Sequence, residues 1–308
     1  MDYMDFQKRT RAFFSELRKK YKPVELSGPI KNRHGTLSRN LDETLKNWTN
    51  FYAKLYSNSY VRYNYQTPDE NPSLDKDFTL AEFLDSIYSL NHHKAPGSDH
   101  ITSEDITFLL PNDSEEDDLN PEKKVSSLRF IFKILSDFWF NEYVPEDFKR
   151  TILRPFIKDQ EKSASDPANY RPISLLNTLM KIYESIICRR LVTYLEKHKI
   201  LSPFQAAYRR NRSTADHILT LHEIFLEYRF NKIGPRGGRS KKRLFLCFLD
   251  LKKAFDKVLR KLLFSKLYKA GIRGKMLHVI QNLFSSNPAQ VLIDGFLSPT
   301  FEINPGEL

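Results

Sequence analysis

The sequence predicts an α+β fold built around a mainly antiparallel sheet. Three observations carry that reading. Strand-like apolar runs at 151–158, 244–249 and 290–293 are separated by stretches of helical periodicity. Asp294-Gly295 marks a hairpin turn late in the chain. No strand-like run is followed by a Gly-rich turn, whether GxGxxG or GxxxxGK[ST]. A doubly wound parallel sheet and nucleotide binding through such a loop therefore lose their support.

Composition narrows the partner. The 308 residues suffice for roughly two compact units. A formal net charge of +11, from 49 Lys and Arg, sits beside 23 Phe and 15 Tyr. That mixture suits a polyanion whose bases stack on rings, with a plain basic soluble protein as the bland alternative. Cys188 and Cys247 lie in apolar or helical patterns and read as buried thiols, neither a disulfide nor a zinc site. The N-terminal MDYMDFQKRTRAFF has no signal-peptide core and no apolar run reaches membrane-spanning length, so an intracellular protein is expected.

The elements follow in order. Leu41, Leu45, Trp48, Phe51, Tyr52 and Leu55 recur at helical spacing within a basic, aromatic first sixty residues. Positions 57–77 have linker composition. Thr79 opens a capping box with Glu82, followed by an amphipathic helix through Phe83 and Ile87. Lys94–Asp99 is a basic turn, and 112–124 an acidic loop. A helix runs from Val125 to Trp139. Thr151–Lys158 reads as a strand that Pro155 confines to an edge or a bulge, and a polar loop follows at 159–170. Helices are expected from Leu179 to Leu195 and from Thr214 to Tyr228, the second capped from Ser213. A basic loop spans 231–242, two further helices break at Gly271–Gly274, and the hairpin near 289–301 is expected to present unpaired edges. The run Leu244–Leu249 ends abruptly at Asp250. A buried strand ending in an acid can deliver a metal ligand to a cleft floor; it can equally be a core strand leading into a helix N-cap.

Four segments occur in a telling order: KAPGSD at 94–99, NYRPISLLNTLMKIYE at 169–184, FQAAYRRNRSTADH at 204–217 and FLDLKKAFDKV at 248–258. With the downstream AGIRGKML and VLIDG and the upstream NRHGTLSRNLDETLKNWTNFYAKLY, the chain resembles reverse transcriptases of non-LTR, LINE-like retrotransposons. The resemblance implies fingers and a partial palm of a right-hand polymerase, with an incomplete antiparallel palm sheet and a helix-rich N-terminal extension. It divides the chain into a linker or extension at 1–73, a helical extension of the fingers at 74–150, and fingers with partial palm at 151–308. It also implies RNA-directed DNA synthesis by two Mg²⁺ ions, with an RNA template, a DNA primer and dNTPs as partners.

The same resemblance assigns residues. Asp250 becomes the catalytic, metal-binding carboxylate. Phe255 becomes the gate that excludes a 2′-hydroxyl, with a core Phe as the alternative, and the backbone from Leu251 a phosphate cradle. Lys158 and Arg171 clamp the triphosphate, although Lys158 can also be an ordinary exposed lysine. Gln205, Arg209, Arg212 and Ser213 meet template and primer phosphates, and Lys94 the template backbone. Asp256 reads as a turn or capping residue. The chain departs from the family pattern by lacking a Gln-Gly…Ser-Pro motif and an aromatic-x-Asp-Asp hairpin, and by His100 where the family turn usually continues with Gly. A truncated element or incomplete gene model, inactive alone, is therefore expected. The alternatives are a non-catalytic nucleic-acid-binding remnant and an endonuclease signature in Ser98-Asp99-His100.

Overall fold

A computed structural model describes residues 28–56, 71–110, 121–158, 161–230, 244–251, 254–255 and 258–303. Most of the expected linker and of the acidic loop, the basic loop at 231–242 and Asp256 lie outside these residues. Residues 121–124, expected in the acidic loop, instead form the first turn of a helix. Two compact units are distinguished: Met1–Lys22 with Leu195–Lys252, and Pro23–Tyr194 with Lys253–Leu308.

The larger unit opens with helix α1 (Leu41–Tyr56). Its Leu45, Trp48, Tyr52 and Tyr56 recur every three or four residues and form one buried stripe. Strands β1 (Thr151–Ile157) and β2 (Tyr170–Leu175) form an antiparallel pair. Strand β3 (Pro288–Ile293) lies parallel to β1, and short strands β4 (Phe296–Leu297) and β5 (Phe301–Glu302) pair antiparallel with β3. The α1 stripe packs on Leu153, Tyr170, Ala289, Val291 and Ile293 of this sheet. Trp48 stacks on Tyr52 at 5.5 Å and meets the Tyr170 ring edge-on at 5.0 Å.

The sheet is mainly antiparallel, as expected, with one parallel pairing, β1 with β3 through Thr151–Leu153. Strand β3 is flanked on both sides, while β4, paired only with β3 among the described residues, ends the strand order as an edge of the hairpin. One expectation for the sheet is corrected. Pro155 sits in a strand with neighbours on both sides, yet without a bulge. The Lys158 amide donates to Asn169 at 2.8 Å, so alternation along the ladder leaves Pro155 opposite Pro172 as a non-hydrogen-bonded pair. Their missing N–H groups are directed away from each other, and β3 stops pairing at Leu153. The hairpin itself is as expected, with Asp294 and Gly295 at φ 48° and 84°.

Helices fill the rest of this unit. They are α2 (Leu80–Tyr88), α3 (Ser103–Thr107), α4 (Pro121–Phe140), α5 (Glu146–Lys149) and the main part of α6 (Thr178–Lys197). The Thr79–Glu82 capping box forms in full. Phe78 stacks on Trp139 at 4.8 Å and meets Tyr183 at 5.6 Å, joining α4 to α6. The smaller unit holds the end of α6, helix α7 (Thr214–Phe230) and residues 244–251. In the larger unit α8 (Arg260–Lys269) and α9 (Gly274–Leu283) break where expected.

The apolar run at 244–250 forms no strand among the described residues. Phe245, Phe248, Leu249 and Leu251 are all exposed. A helix closes its hydrogen bonds within itself, whereas a strand needs a second chain segment, and the apolar pattern does not supply one. Cys247, inside this run, is exposed, and so is Cys188, which falls just off the buried α6 stripe of Tyr183, Ile186 and Ile187. Neither is the buried thiol expected.

Candidate phosphate and nucleic-acid interface

The β1–β2 register decides where the fingers cations stand. Phe156 lies opposite Arg171 and Arg154 opposite Ile173, while the Lys158 amide bonds to Asn169. Residues opposite one another in an antiparallel pair share a face. Arg154, Lys158 and Arg171 therefore share one face, and Leu153, Ile157 and Tyr170 occupy the other, against α1. Lys158 and Arg171 are both exposed, and the Lys158 ammonium donates to the Ala168 carbonyl at 3.0 Å. The structure thus brings together the two residues assigned to the triphosphate. Arg154 joins them unforeseen, although period-two spacing back from Lys158 through ILRPFIK marks it.

Lys94 is exposed at the start of the KAPGSD turn, which docks where β2 runs into α6. The Ser98 hydroxyl donates to the Asn177 side-chain oxygen at 3.1 Å, and the Thr178 hydroxyl to the Ile101 carbonyl at 2.6 Å. Ser98 and Asp99 are committed to this turn, since Asp99 accepts from the Ile101 amide at 3.2 Å. His100 adopts φ 58°, the left-handed conformation that favours glycine. Gly97 is required by close approach. A Cβ there would fall on the Asn177 amide nitrogen and side-chain oxygen, 2.6 Å from the Leu176 carbonyl carbon. Gly97→Ala is expected to cost about 1–3 kcal/mol, read as a lowered thermal unfolding midpoint; an unchanged midpoint would show that the turn does not press on α6.

In the smaller unit Arg209 is the anchor of the 202–213 turn. Its guanidinium forks onto Glu196 through two bonds of 2.7 Å and donates to the carbonyls of Ser202 at 2.8 Å and Gln205 at 3.1 Å. The Glu196 carboxyl is correspondingly held below its ordinary range, chiefly by the Arg209 hydrogen bond. Gln205 and Arg212 are exposed, and Ser213 donates to Asp216 at the start of α7. Phe204 and Tyr208, which the sequence reading passed over, present exposed rings on the same turn.

Asp250 is exposed at the end of the unpaired run, next to exposed Leu251, and Phe255 is exposed in a turn. Phe255 is therefore not the core Phe weighed as its alternative. A two-Mg²⁺ site needs several carboxylates converging on one point. Among the described residues no group of three or more His, Cys, Asp or Glu side chains is arranged to hold a metal ion. These residues do not fit a Mg²⁺ pair.

Residues 157–301 match the family described as reverse transcriptase (RNA-dependent DNA polymerase). They belong to the reverse transcriptase family. This segment contains Lys158, Arg171, the 204–213 turn, Asp250 and Phe255, and it excludes Lys94 and Arg154. Relatives of the reverse transcriptase segment extend further along the chain. The RNA-directed DNA polymerase from mobile element jockey of Drosophila melanogaster is 29% identical over 230 residues, 74% of this chain and 22% of the relative. A probable RNA-directed DNA polymerase from transposon BS of the same fly is 24% identical over 254 residues, 78% of this chain and 25% of the relative. The Pol polyprotein from type-1 retrotransposable element R1 of Bradysia coprophila is 29% identical over 143 residues, 46% of this chain and 13% of the relative. The chain thus spans about a quarter or less of the length of these relatives.

Proposed function

We propose that this chain is the nucleotide- and template-gripping part of an RNA-directed DNA polymerase from a non-LTR retrotransposon, acting inside the cell. The observation that supports it best is the strand register that sets Lys158 and Arg171 on one solvent-facing side of the β1–β2 pair. A rigid sheet holds an Arg fork and a Lys point charge at fixed separation, as phosphate recognition requires. Arg212 and Lys94 add exposed cations for a template backbone, and Arg209 keeps the first of these turns in shape. Asp250 is the carboxylate that the reverse transcriptase segment exposes at the end of its unpaired run, and by itself it does not make up a Mg²⁺ pair site.

Lone exposure of Asp250, with no metal-binding group among the described residues, favours a second reading in which the 308-residue chain grips RNA without polymerising. Single-stranded RNA binding tests the shared part. Affinity is expected to fall linearly in a double-logarithmic salt series, with Arg212→Gln and Lys94→Gln each flattening the slope by about 0.7. A wild-type slope near zero removes both readings. Primer extension with Mg²⁺ and dNTPs then separates them: no synthesis is expected from this chain by itself, and Asp250-dependent synthesis would overturn that expectation.

A further inference from the structure

We infer that Arg154 is a third phosphate-binding residue, extending the Lys158–Arg171 pair into a three-cation track along one face of the β1–β2 hairpin. The inference rests on the phosphate-gripping role proposed above and adds a residue that lies outside the matched family segment. Geometry carries it. Arg171 is diagonal to Arg154 on one side and to Lys158 on the other, each diagonal pair about 7–8 Å apart between Cα atoms. The three charges therefore stand in a row, with Arg171 in the middle, as successive phosphates of a chain would require.

Electrostatics points the same way. The positions on this face are Ile152, Arg154, Phe156, Lys158, Asn169, Arg171, Ile173 and Leu175, and none is acidic. Among the described residues neither Arg154 nor Arg171 has a carboxylate partner. The Arg154 guanidinium lies over the Phe156 ring, 5.5 Å from its centroid, and Phe156 is the residue directly opposite Arg171. The ring thus steers one cation towards another. Like charges so placed repel, and a bound phosphate chain relieves the repulsion. A solvated surface arginine gains nothing from this arrangement; a phosphate ligand does.

Two sources share this chemistry: the triphosphate tail of a nucleotide and the phosphodiester backbone of a polynucleotide. The test measures inorganic tripolyphosphate and a single-stranded RNA oligonucleotide on the full chain, comparing wild type, Arg154→Gln, Arg154→Lys and the Lys158→Gln/Arg171→Gln double variant. Arg154→Gln is expected to weaken one ligand about fivefold to tenfold, with Arg154→Lys recovering part of it. Loss with tripolyphosphate assigns the track to a nucleotide tail, and loss with RNA assigns it to a template or primer backbone. Ligand-free Arg154→Gln should unfold at the same temperature or higher, because the repulsion is gone, and should gain less from tripolyphosphate or RNA than wild type does. If the double variant weakens binding while Arg154→Gln binds both ligands as wild type does, only the role of Arg154 falls. If wild type binds neither ligand, the gripping role falls with it.

Discussion

Glu184→Gln is expected to stabilise the protein by up to about 3 kcal/mol at pH 8 and to leave its stability near pH 4 unchanged. Glu184 lies on α6, and burial pushes its carboxyl up to about 7 from an ordinary 4.5. Between those two values the folded chain keeps a proton that the unfolded chain has released. Folded molecules then bind more protons than unfolded ones, so stability falls as pH rises through this window and levels off above pH 7. The gap of about 2.5 pH units, at 1.36 kcal/mol each, caps the effect. Glutamine keeps the shape and cannot ionise, so the penalty vanishes. Urea unfolding of both proteins from pH 4 to 8 measures it. The difference between them should open from near zero to its full size across the window, and parallel curves would show that the carboxyl is well solvated.

Arg190→Ala is expected to destabilise the protein by about 3–5 kcal/mol. Arg190, also on α6, is 10% exposed and forks onto Glu82 through two bonds of 2.7 Å. The same guanidinium donates to the carbonyls of Leu74, Lys76 and Asp77 and lies over the rings of Phe78, at 4.8 Å, and Trp139, at 5.3 Å. Removing it strands a carboxylate and several carbonyls together beside a closely packed aromatic cluster. Arg190→Lys should recover little, since an ammonium can neither fork nor lie flat on the rings. The Arg190 hydrogen bond is also the main reason that the Glu82 carboxyl is held below its ordinary value. That stabilisation is present above about pH 4.5 and is lost as pH falls through the lowered value. Thermal unfolding of the two variants decides the matter, and a shift of only a degree or two for Arg190→Ala would make the pair a surface ornament.

Much of the fold was legible because helices are local. The Thr79–Glu82 box, the stripe of α1, the α6 pattern around Tyr183 and the break at Gly271–Gly274 are written within short windows. The Asp294-Gly295 hairpin was equally plain, since few residues tolerate its positive φ. Strands were less legible. Strand β2 lay hidden in NYRPISLL, read only as a motif, and the strongest apolar run, ahead of Asp250, stayed unpaired. Of the candidate residues, the motifs picked out Lys158 and Arg171, which the register sets on one face, and Arg209, whose guanidinium is held by Glu196 and by its own turn.

The sequence by itself determined the segment that matches reverse transcriptases, the order of the main helices and which residue types are available to meet phosphate, because motifs and helical periodicity are properties of neighbouring residues. Tertiary structure alone decided that β1 runs parallel to β3, that α1 covers one face of the sheet, and that Arg154, Phe156, Lys158 and Arg171 share the other. Pairing joins residues far apart in the chain, and a one-residue change of register would turn every one of those side chains to the opposite face.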